Sequence, residues 1–285
     1  MLTILILAGG KGKRLAPLST EEKPKQFLKF NNDKSLLQQT FNRAEGIVGK
    51  ENVFVVTCQD YEDEVRSQLC NINYDNIIFE PHSRNTAPAL LLGVMRIREK
   101  YEDAAVLVIP SDHIIDDSHK FYEDIKNGQR YLEYNDKAII TFGIKPNRPE
   151  TAFGYIRYNP HKYNERIYKC EEFVEKPSLE RAIEYIDKGN YLWNSGMFLF
   201  RGENIIRLSK KFLPDTFKVL TDICMYQDHE YNKILKEKYM LVDKVSIDYG
   251  IMEKYDEIYV ILSEFKWDDL GSFEALRRND ISMIE

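Results

Sequence analysis

A glycine-rich segment near the start of the chain combines two features that bind phosphate groups. Residues 7–28 read LAGGKGKRLAPLSTEEKPKQFL, a glycine-rich turn that follows an apolar run. Gly9, Gly10 and Gly12 have no side chains, so backbone N–H groups in this turn can converge on phosphate oxygens. The side chains that supply countercharge are Lys11, Lys13, Arg14 and Lys25. The segment therefore predicts a binding site for a triphosphate.

Two common glycine-rich loops do not fit this segment. The dinucleotide pattern G-x-G-x-x-G, started at Gly10, requires a third glycine where the chain has Leu15, and Pro17 would interrupt the helix that follows. The pattern G-x-x-x-x-G-K-[ST] also fails, because Lys13 is followed by Arg14. These mismatches disfavour a nicotinamide oxidoreductase and a P-loop nucleotidase, and leave a lysine-rich surface turn as the plain alternative.

Asp112 lies where a metal ligand is expected, because it follows the apolar run of residues 104–109. Mg²⁺ prefers oxygen ligands and is usually held by one or two carboxylates together with substrate phosphates. A lone aspartate after a strand also commonly caps a turn. A second carboxylate from far along the chain favours the metal site, and we expect Asp269 rather than Asp268, because Gly271 permits a tight turn beside it.

Two further segments carry side chains that suit a sugar phosphate. Glu175 and Lys176 end a predicted strand before Pro177, and pair an acceptor for hydroxyl groups with a cation for phosphate. They can serve one ligand only if the chain turns there, and an exposed ion pair is the plain alternative. Asn194 can both donate and accept hydrogen bonds beside a nearby glycine, although the segment also reads as a simple turn.

Composition excludes several classes of partner. The 285 residues carry 40 basic and 46 acidic side chains, a net charge of −6, which disfavours a nucleic-acid surface. The 4 cysteines and 5 histidines are scattered, which disfavours a zinc site or a disulfide framework. The apolar start has no basic residues before it and reads as a strand rather than a signal segment. We therefore expect a cytoplasmic protein without a membrane or nucleic-acid partner.

Apolar runs and helical periodicity alternate through the first half of the chain. Strands are predicted at 3–8, 53–57, 76–79, 104–109 and 138–142. Helical faces are predicted in residues 36–48 and after Thr86. This alternation indicates an α/β fold with a mostly parallel, doubly wound sheet, whose ligands bind at the carboxyl ends of the strands. Strands at 155–158, 169–174 and 196–200, and a helix at 179–188, are expected to extend the sheet towards a sugar-binding lobe.

Nine segments, in this order, resemble the nucleoside-diphosphate-sugar pyrophosphorylases, and within them the bacterial mannose-1-phosphate guanylyltransferases. They are LAGGKGKRLAPLS (7–19), KPKQFL (23–28), FEPHSRNTAPA (79–89), VIPSDH (108–113), FGIKPNRPETAFGYI (142–156), FVEKP (173–177), WNSGMFLF (193–200), SIDYGIMEK (246–254) and WDDLGSF (267–273). The resemblance spans nearly the whole chain. It departs from the family pattern at Ala16, where tryptophan is usual, and at Ala152–Phe153, where glycine and tyrosine are usual.

The resemblance implies a Rossmann-like, three-layer nucleotide-diphospho-sugar transferase domain with a mostly parallel mixed sheet. It implies one domain over residues 1–285, with 1–150 mainly binding the nucleotide and 151–285 mainly binding the sugar phosphate. An isomerase domain or a β-helix domain is not expected.

The resemblance also implies a role for each matching residue. The nucleotide-binding residues would be Leu7, Ala8, Gly9, Gly10, Gly12, Arg14, Lys25, Asn85, Thr86 and Ser111. The catalytic residues would be Arg14, Lys25 and Asp112. The residues that bind the sugar phosphate would be Gly154, Glu175, Lys176 and Asn194. The ligands of Mg²⁺ would be Asp112 and Asp269.

The implied reaction joins GTP and mannose 1-phosphate by direct attack on the α-phosphorus, with Mg²⁺ as cofactor, and gives GDP-mannose and pyrophosphate. A homodimer is expected. The alternatives are another sugar-1-phosphate nucleotidyltransferase, specific for heptose or for a thymidylyl or uridylyl group, and a regulatory subunit that binds nucleotide sugars without turnover.

Overall fold

The computed structural model of the chain describes residues 1–10, 15–30, 33–164 and 166–281, with side chains left out at 162–164 and 228. The strands are β1 (Leu2–Leu7), β2 (Val53–Cys58), β3 (Ile77–Glu80), β4 (Ala105–Pro110), β5 (His113–Ile115), β6 (Ile139–Ile144), β7 (Tyr155–Asn164), β8 (Ile167–Val174), β9 (Tyr191–Arg201), β10 (Ile258–Ser263) and β11 (Trp267–Asp269). The helices are α1 (Leu36–Val48), α2 (Glu62–Gln68), α3 (Thr86–Lys100), α4 (Ser118–Tyr134), α5 (Leu179–Lys188), α6 (Gly202–Phe212), α7 (Pro214–Ile223), α8 (Asp228–Lys238), α9 (Ile247–Gly250) and α10 (Phe273–Arg278).

Nine strands form one mixed sheet in the order β3-β2-β1-β4-β9-β6-β10-β8-β7. Strands β1 to β4 are parallel to one another, and β6 is parallel to β10. Strand β9 is antiparallel to β4 and β6, and β8 is antiparallel to β10 and β7. Within the described ranges, all strands of this sheet except β8 and β9 therefore run in one direction, which confirms the predicted mostly parallel mixed sheet.

Helices cover both faces of the sheet, because neighbouring residues of a buried strand point to opposite faces. Ile4 and Ile6 pack in one apolar cluster with Phe41 of α1, whereas Leu5 packs in the other with Leu90 of α3. All of these side chains are buried. The arrangement is the predicted three-layer α/β architecture.

The most consequential difference from the sequence-based elements is the length of β9. The sequence predicts a strand only over 196–200, because Asn194 and Ser195 read as part of a turn that leads into it. Gly196, at φ +69°, instead lets the strand continue through a bulge. The pairing with β6 shifts there, from Phe198 opposite Thr141 to Asn194 opposite Gly143. Asn194 consequently lies within a strand rather than in a loop.

The described ranges contain no helix that is long and apolar enough to span a bilayer.

Candidate active site

A cleft of about 360 Å³ opens at the carboxyl ends of β1, β3 and β4 and extends to β9 and α9. This is the edge of an open parallel sheet at which ligands are expected to bind. The apolar residues that line it are Leu7, Val56, Ala89, Leu90, Val108 and Phe198. Polar and acidic side chains stand at both ends, so the cleft suits a ligand with an apolar or planar middle and charged groups.

The described part of the glycine-rich loop is held by Gln26. Gly9 and Gly10 line the cleft, and a Cβ added at Gly10 would meet no atom within 4 Å. The buried Gln26 amide Nε2 donates to the carbonyl oxygens of Ala8 and Gly10, each at 2.9 Å. Ala8 itself is turned inward, since its N–H donates to Val56 and its carbonyl also accepts from the hydroxyl of Thr57.

Lys25 lies between the two predicted metal ligands. Its Nζ is 2.8 Å from Asp112 Oδ2 and 2.8 Å from Asp269 Oδ1. The side chain of Lys25 is only 4% exposed. Burial lowers the pKa of Lys25, but the nearby charges of Asp112 and Asp269 outweigh that effect and raise it above its usual value. The ammonium group is therefore a permanent positive charge at this edge of the sheet.

A two-stranded ribbon brings Asp269 to Asp112. Strand β11 pairs antiparallel with β5, which places Asp269 opposite His113, the residue after Asp112. Asp268 is not among the residues that line the cleft, and Arg278 donates hydrogen bonds of 2.9, 3.0 and 3.1 Å to its oxygens. Neighbouring strand residues face opposite ways, so only one of the two aspartates reaches the cleft. This supports the prediction of Asp269 over Asp268.

The chemistry of these donors fits a divalent cation that also binds the substrate. Both carboxylates line the cleft, with 30% of Asp112 and 17% of Asp269 exposed. Within the described ranges, no three His, Cys, Asp or Glu side chains gather into a complete metal site. Two carboxylates complemented by water and phosphate oxygens is the usual environment of Mg²⁺ in phosphate-binding proteins.

His113 and Trp267 form one wall of the cleft beside the carboxylates. The rings meet edge to face, with centroids 5.2 Å apart, and the indole Nε1–H donates to His113 Nδ1 at 3.2 Å. Phe153 packs on Trp267 with centroids 5.1 Å apart. Burial lowers the pKa of His113, although the charges of Asp112 and Asp269 oppose that shift.

The opposite end of the cleft holds the predicted sugar-phosphate residues. Gly154, Glu175 and Asn194 line it together, and the Asn194 backbone N–H donates to the Gly154 carbonyl at 2.8 Å. A Cβ at Gly154 would lie 2.7 Å from Glu175 Oε2, so only glycine fits beside this carboxylate. Lys176 adopts φ +46°, and this turn lets its ammonium form an ion pair with Glu175. The chain therefore turns at Lys176, as a shared role for the two side chains requires, and that role remains a prediction.

Asp248, on the short helix α9, joins this end of the cleft. Its Oδ1 accepts a hydrogen bond from Asn194 Nδ2 at 3.0 Å. Burial, followed by the charge of Glu175, raises the pKa of Asp248 to about 6. Helix α9 also contacts the start of α3, because the Ile247 N–H donates a hydrogen bond to the hydroxyl of Thr86 at 2.9 Å.

The end of the cleft that the sequence predicts to bind the nucleotide is formed by the residues that follow β3 and β4. Asn85, at φ +73°, accepts from the N–H of Thr86 at the start of α3, and Ser111 lines the cleft beside Asp112. Glu80, at the end of β3, is 2% exposed and accepts a hydrogen bond from the hydroxyl of Tyr239. Burial raises the pKa of Glu80 to about 7, although the bond from Tyr239 opposes the shift.

A family model described as nucleotidyl transferase matches residues 3–282 of this chain. The chain belongs to the nucleotidyl transferase family. Mannose-1-phosphate guanylyltransferase from Salmonella montevideo is 36% identical over 285 residues, covering 97% of this chain and 59% of that protein. The chain thus spans well under two thirds of that relative.

Two solved structures resemble this family member over most of its length. The crystal structure of mannose-1-phosphate geranyltransferase from Thermus thermophilus has a TM-score of 0.87 and 36% identity, and covers 97% of this chain and 78% of that one. The crystal structure of mannose-6-phosphate isomerase from Helicobacter pylori has a TM-score of 0.75 and 26% identity, and covers 94% of this chain and 100% of that one.

The cleft of this nucleotidyl transferase gathers most of the residues predicted from the sequence. Those that line it are Leu7, Gly9, Gly10, Asn85, Thr86, Ser111, Asp112, Gly154, Glu175, Asn194 and Asp269. Lys25 contacts both aspartates, whereas Ala8 is buried below the loop, and Lys176 does not line the cleft but forms an ion pair with Glu175, which does. Gly12 and Arg14 lie outside the described residues, so their roles remain predictions.

Four of the polar residues that line the cleft and that sequence reasoning did not single out could take part in binding or proton transfer. They are Gln26, Glu80, His113 and Asp248. All four lie within the segments that carry the family resemblance. The sequence signal that could have identified Glu80 and His113 is a polar side chain at the end of a buried strand or shortly after it.

Proposed function

We propose that this chain transfers a guanylyl group from GTP to mannose 1-phosphate, with formation of GDP-mannose and release of pyrophosphate. The observation that carries the proposal is Lys25, which lies 2.8 Å from each of two cleft-lining carboxylates, beside a glycine-rich loop. Relatives named mannose-1-phosphate guanylyltransferase support the choice of substrates.

The reaction requires alignment and charge neutralisation more than proton transfer. An oxygen of the sugar phosphate forms a bond to the α-phosphorus of GTP, and the bond from that phosphorus to the β-phosphate bridging oxygen breaks. The attacking oxygen is already anionic, so no activated hydroxyl or thiol is needed. The protein must hold two polyanions in line and stabilise the charge that develops on pyrophosphate.

Lys25 and the two aspartates would perform that task together. Nucleotidyl transferases of this family generally use a divalent metal, and we propose that Asp112 and Asp269 hold Mg²⁺. When bound, Mg²⁺ would neutralise phosphate oxygens as a Lewis acid. Lys25 keeps the two carboxylates in place and adds a fixed positive charge beside the phosphates. The N–H groups of the glycine loop, held by Gln26, offer further donors.

The two ends of the cleft suit the two substrates. Glu175, Asn194 and Asp248 present acceptors and a donor to the hydroxyl groups of a hexose, and the Lys176 ammonium beside Glu175 suits a phosphate. At the other end, the Glu80 carboxylate offers an acceptor for the N–H groups of guanine, which thymine and uracil do not present in the same pattern.

The deciding experiment measures pyrophosphate release across a grid of nucleoside triphosphates and sugar 1-phosphates, with Mg²⁺ and with EDTA. We expect the highest kcat/KM for GTP with mannose 1-phosphate, and loss of turnover in EDTA. A preference for thymidine or uridine triphosphate, or for a heptose phosphate, would replace the substrate assignment. Binding of GDP-mannose without turnover would indicate a regulatory subunit.

A parallel assay of mannose 6-phosphate isomerisation tests the activity named for the Helicobacter pylori relative. The single transferase domain, the homodimer and the cytoplasmic location remain predictions.

A further inference from the structure

His113 carries a hydrogen-bond donor that the reaction described above does not use. The indole N–H of Trp267 donates to His113 Nδ1 at 3.2 Å. Because an indole N–H is a donor only, Nδ1 must be the unprotonated nitrogen. The proton of the neutral imidazole therefore lies on Nε2. Trp267 thus selects one of the two tautomers of His113.

The Nε2–H group faces the part of the cleft where phosphates are expected. Nε2 lies 3.9 Å from Asp112 Oδ1, a distance too long for a hydrogen bond, and among the described residues the only hydrogen bond of the His113 side chain is the one at Nδ1. The imidazole lines the cleft and is 11% exposed. A Cβ at Gly196 in β9 would lie 4.0 Å from His113 Cε1, so β9 passes close to the imidazole, and both residues line the cleft.

We propose, as an extension of the proposed function, that His113 Nε2–H donates a hydrogen bond to a phosphate oxygen of the bound substrates. Trp267 is the positioning residue that holds His113 in the tautomer able to do so. The acceptor is an anionic oxygen on either the sugar 1-phosphate or the α-phosphate of GTP, which meet beside Asp112. A neutral donor would help to orient the phosphate group without repelling Lys25 or a metal ion, as a second positive charge would.

The backbone makes this position rigid. His113 begins β5, and its Cα is paired with that of Asp269 in β11, so the donor and Asp269 belong to one short ribbon, which Asp112 directly precedes. Phe153 packs on the other ring of the pair, with centroids 5.1 Å from Trp267. A donor fixed in this way loses little freedom when substrate binds.

Nitrogen NMR of protein labelled with ¹⁵N-histidine tests the tautomer without any substrate. In the unmodified protein, we expect the His113 signals, assigned by their loss in His113→Gln, to show a protonated Nε2 and an unprotonated Nδ1. Trp267→Phe keeps an aromatic ring but removes the indole donor, and should give a mixture of tautomers. A protonated Nδ1 in the unmodified protein would overturn the proposal.

Kinetics test the donor itself. Glutamine places an amide nitrogen as many bonds from Cβ as Nε2, whereas asparagine places its amide nitrogen at the distance of Nδ1. His113→Ala and His113→Asn should therefore lower kcat/KM by about 10- to 100-fold, the effect of losing a hydrogen bond to a charged group, and His113→Gln should retain most of the activity. Exposed His119 gives the matched control, since His119→Gln should change nothing. Equal activity of the Gln and Asn variants would refute a donor at Nε2.

A double-mutant cycle separates positioning from packing. If Trp267 acts by positioning His113, Trp267→Phe should lower kcat/KM in the unmodified protein but not in the His113→Ala background. If Trp267 acts only by packing, Trp267→Phe should lower kcat/KM equally in both backgrounds. Addition of mannose 1-phosphate or of GTP, each alone, should move the Nε2 signal for the substrate that accepts the bond. No movement with either substrate would overturn the proposal.

The NMR titration also keeps the two proposals apart. If no pair of substrates gives pyrophosphate but GTP moves the Nε2 signal, the transferase function fails and the donor assignment stands. If turnover is normal and His113→Ala retains it, the donor assignment fails alone.

Discussion

Replacing Lys25 by methionine would remove the ammonium group between Asp112 and Asp269 while keeping an unbranched apolar side chain. Nζ lies 2.8 Å from an oxygen of each carboxylate, and the lysine side chain is 4% exposed. The variant would leave two negative groups facing each other with little water around them. We expect it to lose both stability and activity, by amounts that can be worked out separately.

The stability loss follows from the two carboxylates. Because one oxygen of each carboxylate lies 2.8 Å from Nζ, the two oxygens are within about 6 Å of each other, and two unit charges at that distance repel by about 3 kcal/mol at an effective dielectric constant of about 20. Removing one partner of a buried ion pair generally costs about 3–5 kcal/mol. We therefore expect Lys25→Met to lower the free energy of unfolding by about 3–5 kcal/mol. Pyrophosphate release should fall by about 10²–10³-fold, the usual effect of losing one charge-stabilising group.

Urea unfolding at fixed ionic strength measures the first quantity, and a pyrophosphate-release assay measures the second. Exposed Lys23 provides the matched control, and Lys23→Met should change stability by less than about 0.5 kcal/mol. In the double variant, Asp112→Asn added to Lys25→Met removes one of the repelling charges and should restore about 3 kcal/mol. Millimolar Mg²⁺ should stabilise Lys25→Met more than the unmodified protein, because both carboxylates become available to it.

The reasoning would be refuted by a Lys25→Met protein as stable as Lys23→Met. It would equally be refuted if Asp112→Asn destabilised the double variant further, because that would show that the carboxylates do not repel each other. Near-normal turnover of Lys25→Met would remove the proposed role of Lys25 in phosphate binding.

Three further perturbations address other parts of the cleft. Gly154→Ala would place a Cβ 2.7 Å from Glu175 Oε2 and displace that carboxylate, so the KM for mannose 1-phosphate should rise about 10-fold, with the KM for GTP unchanged. Asp269→Asn should raise the Mg²⁺ concentration needed for half-maximal turnover by at least about 10-fold, whereas Asp268→Asn should lower stability and leave that concentration unchanged. The pKa of Glu80, raised from 4.5 to about 7 by burial, means that the folded protein keeps a proton that the unfolded chain has lost. Stability should therefore fall by up to about 3 kcal/mol as the pH rises through that window, and Glu80→Gln should abolish this part of the slope.

Each of these expectations has a result that contradicts it. For Gly154→Ala, it is an increase confined to the KM for GTP, and Gly46→Ala in α1, where a Cβ meets open space, serves as the control. For the aspartates, it is an equal shift of the Mg²⁺ requirement in both variants. For Glu80, it is a pH profile of unfolding that Glu80→Gln leaves unchanged between about pH 4.5 and 7.

The sequence predicts the site best where glycines or a carboxylate directly follow a run of apolar residues that forms a buried strand. The apolar run before Gly9 and the run before Asp112 are long enough to require central parallel strands, and their carboxyl ends must meet at one edge. The glycine-rich loop and the first carboxylate were therefore predictable from local pattern alone. From the sequence, Lys25 is expected to affect turnover without unfolding the chain, and its burial between two acids adds the stability cost.

The rest depends on pairing between distant segments, which local patterns do not reveal. Asp269 reaches the cleft only through the register of β11 on β5, and Asn194 only through the bulge at Gly196 that prolongs β9. The raised pKa values of Glu80 and Asp248 come mainly from burial, and that burial depends on Tyr239 and on the docking of α9 against Thr86. Such contacts follow from tertiary packing rather than from residue spacing.

The bond between Lys25 and Asp269 joins residues 244 positions apart in the chain. A ribosome that adds about 5–20 residues per second needs about 12–50 s to pass from the first to the second. Throughout that interval the nascent polypeptide has the lysine but lacks Asp269, and β5, once made, has no partner strand. The arrangement that places Lys25 between two carboxylates is therefore completed late in translation, when β11 pairs with β5.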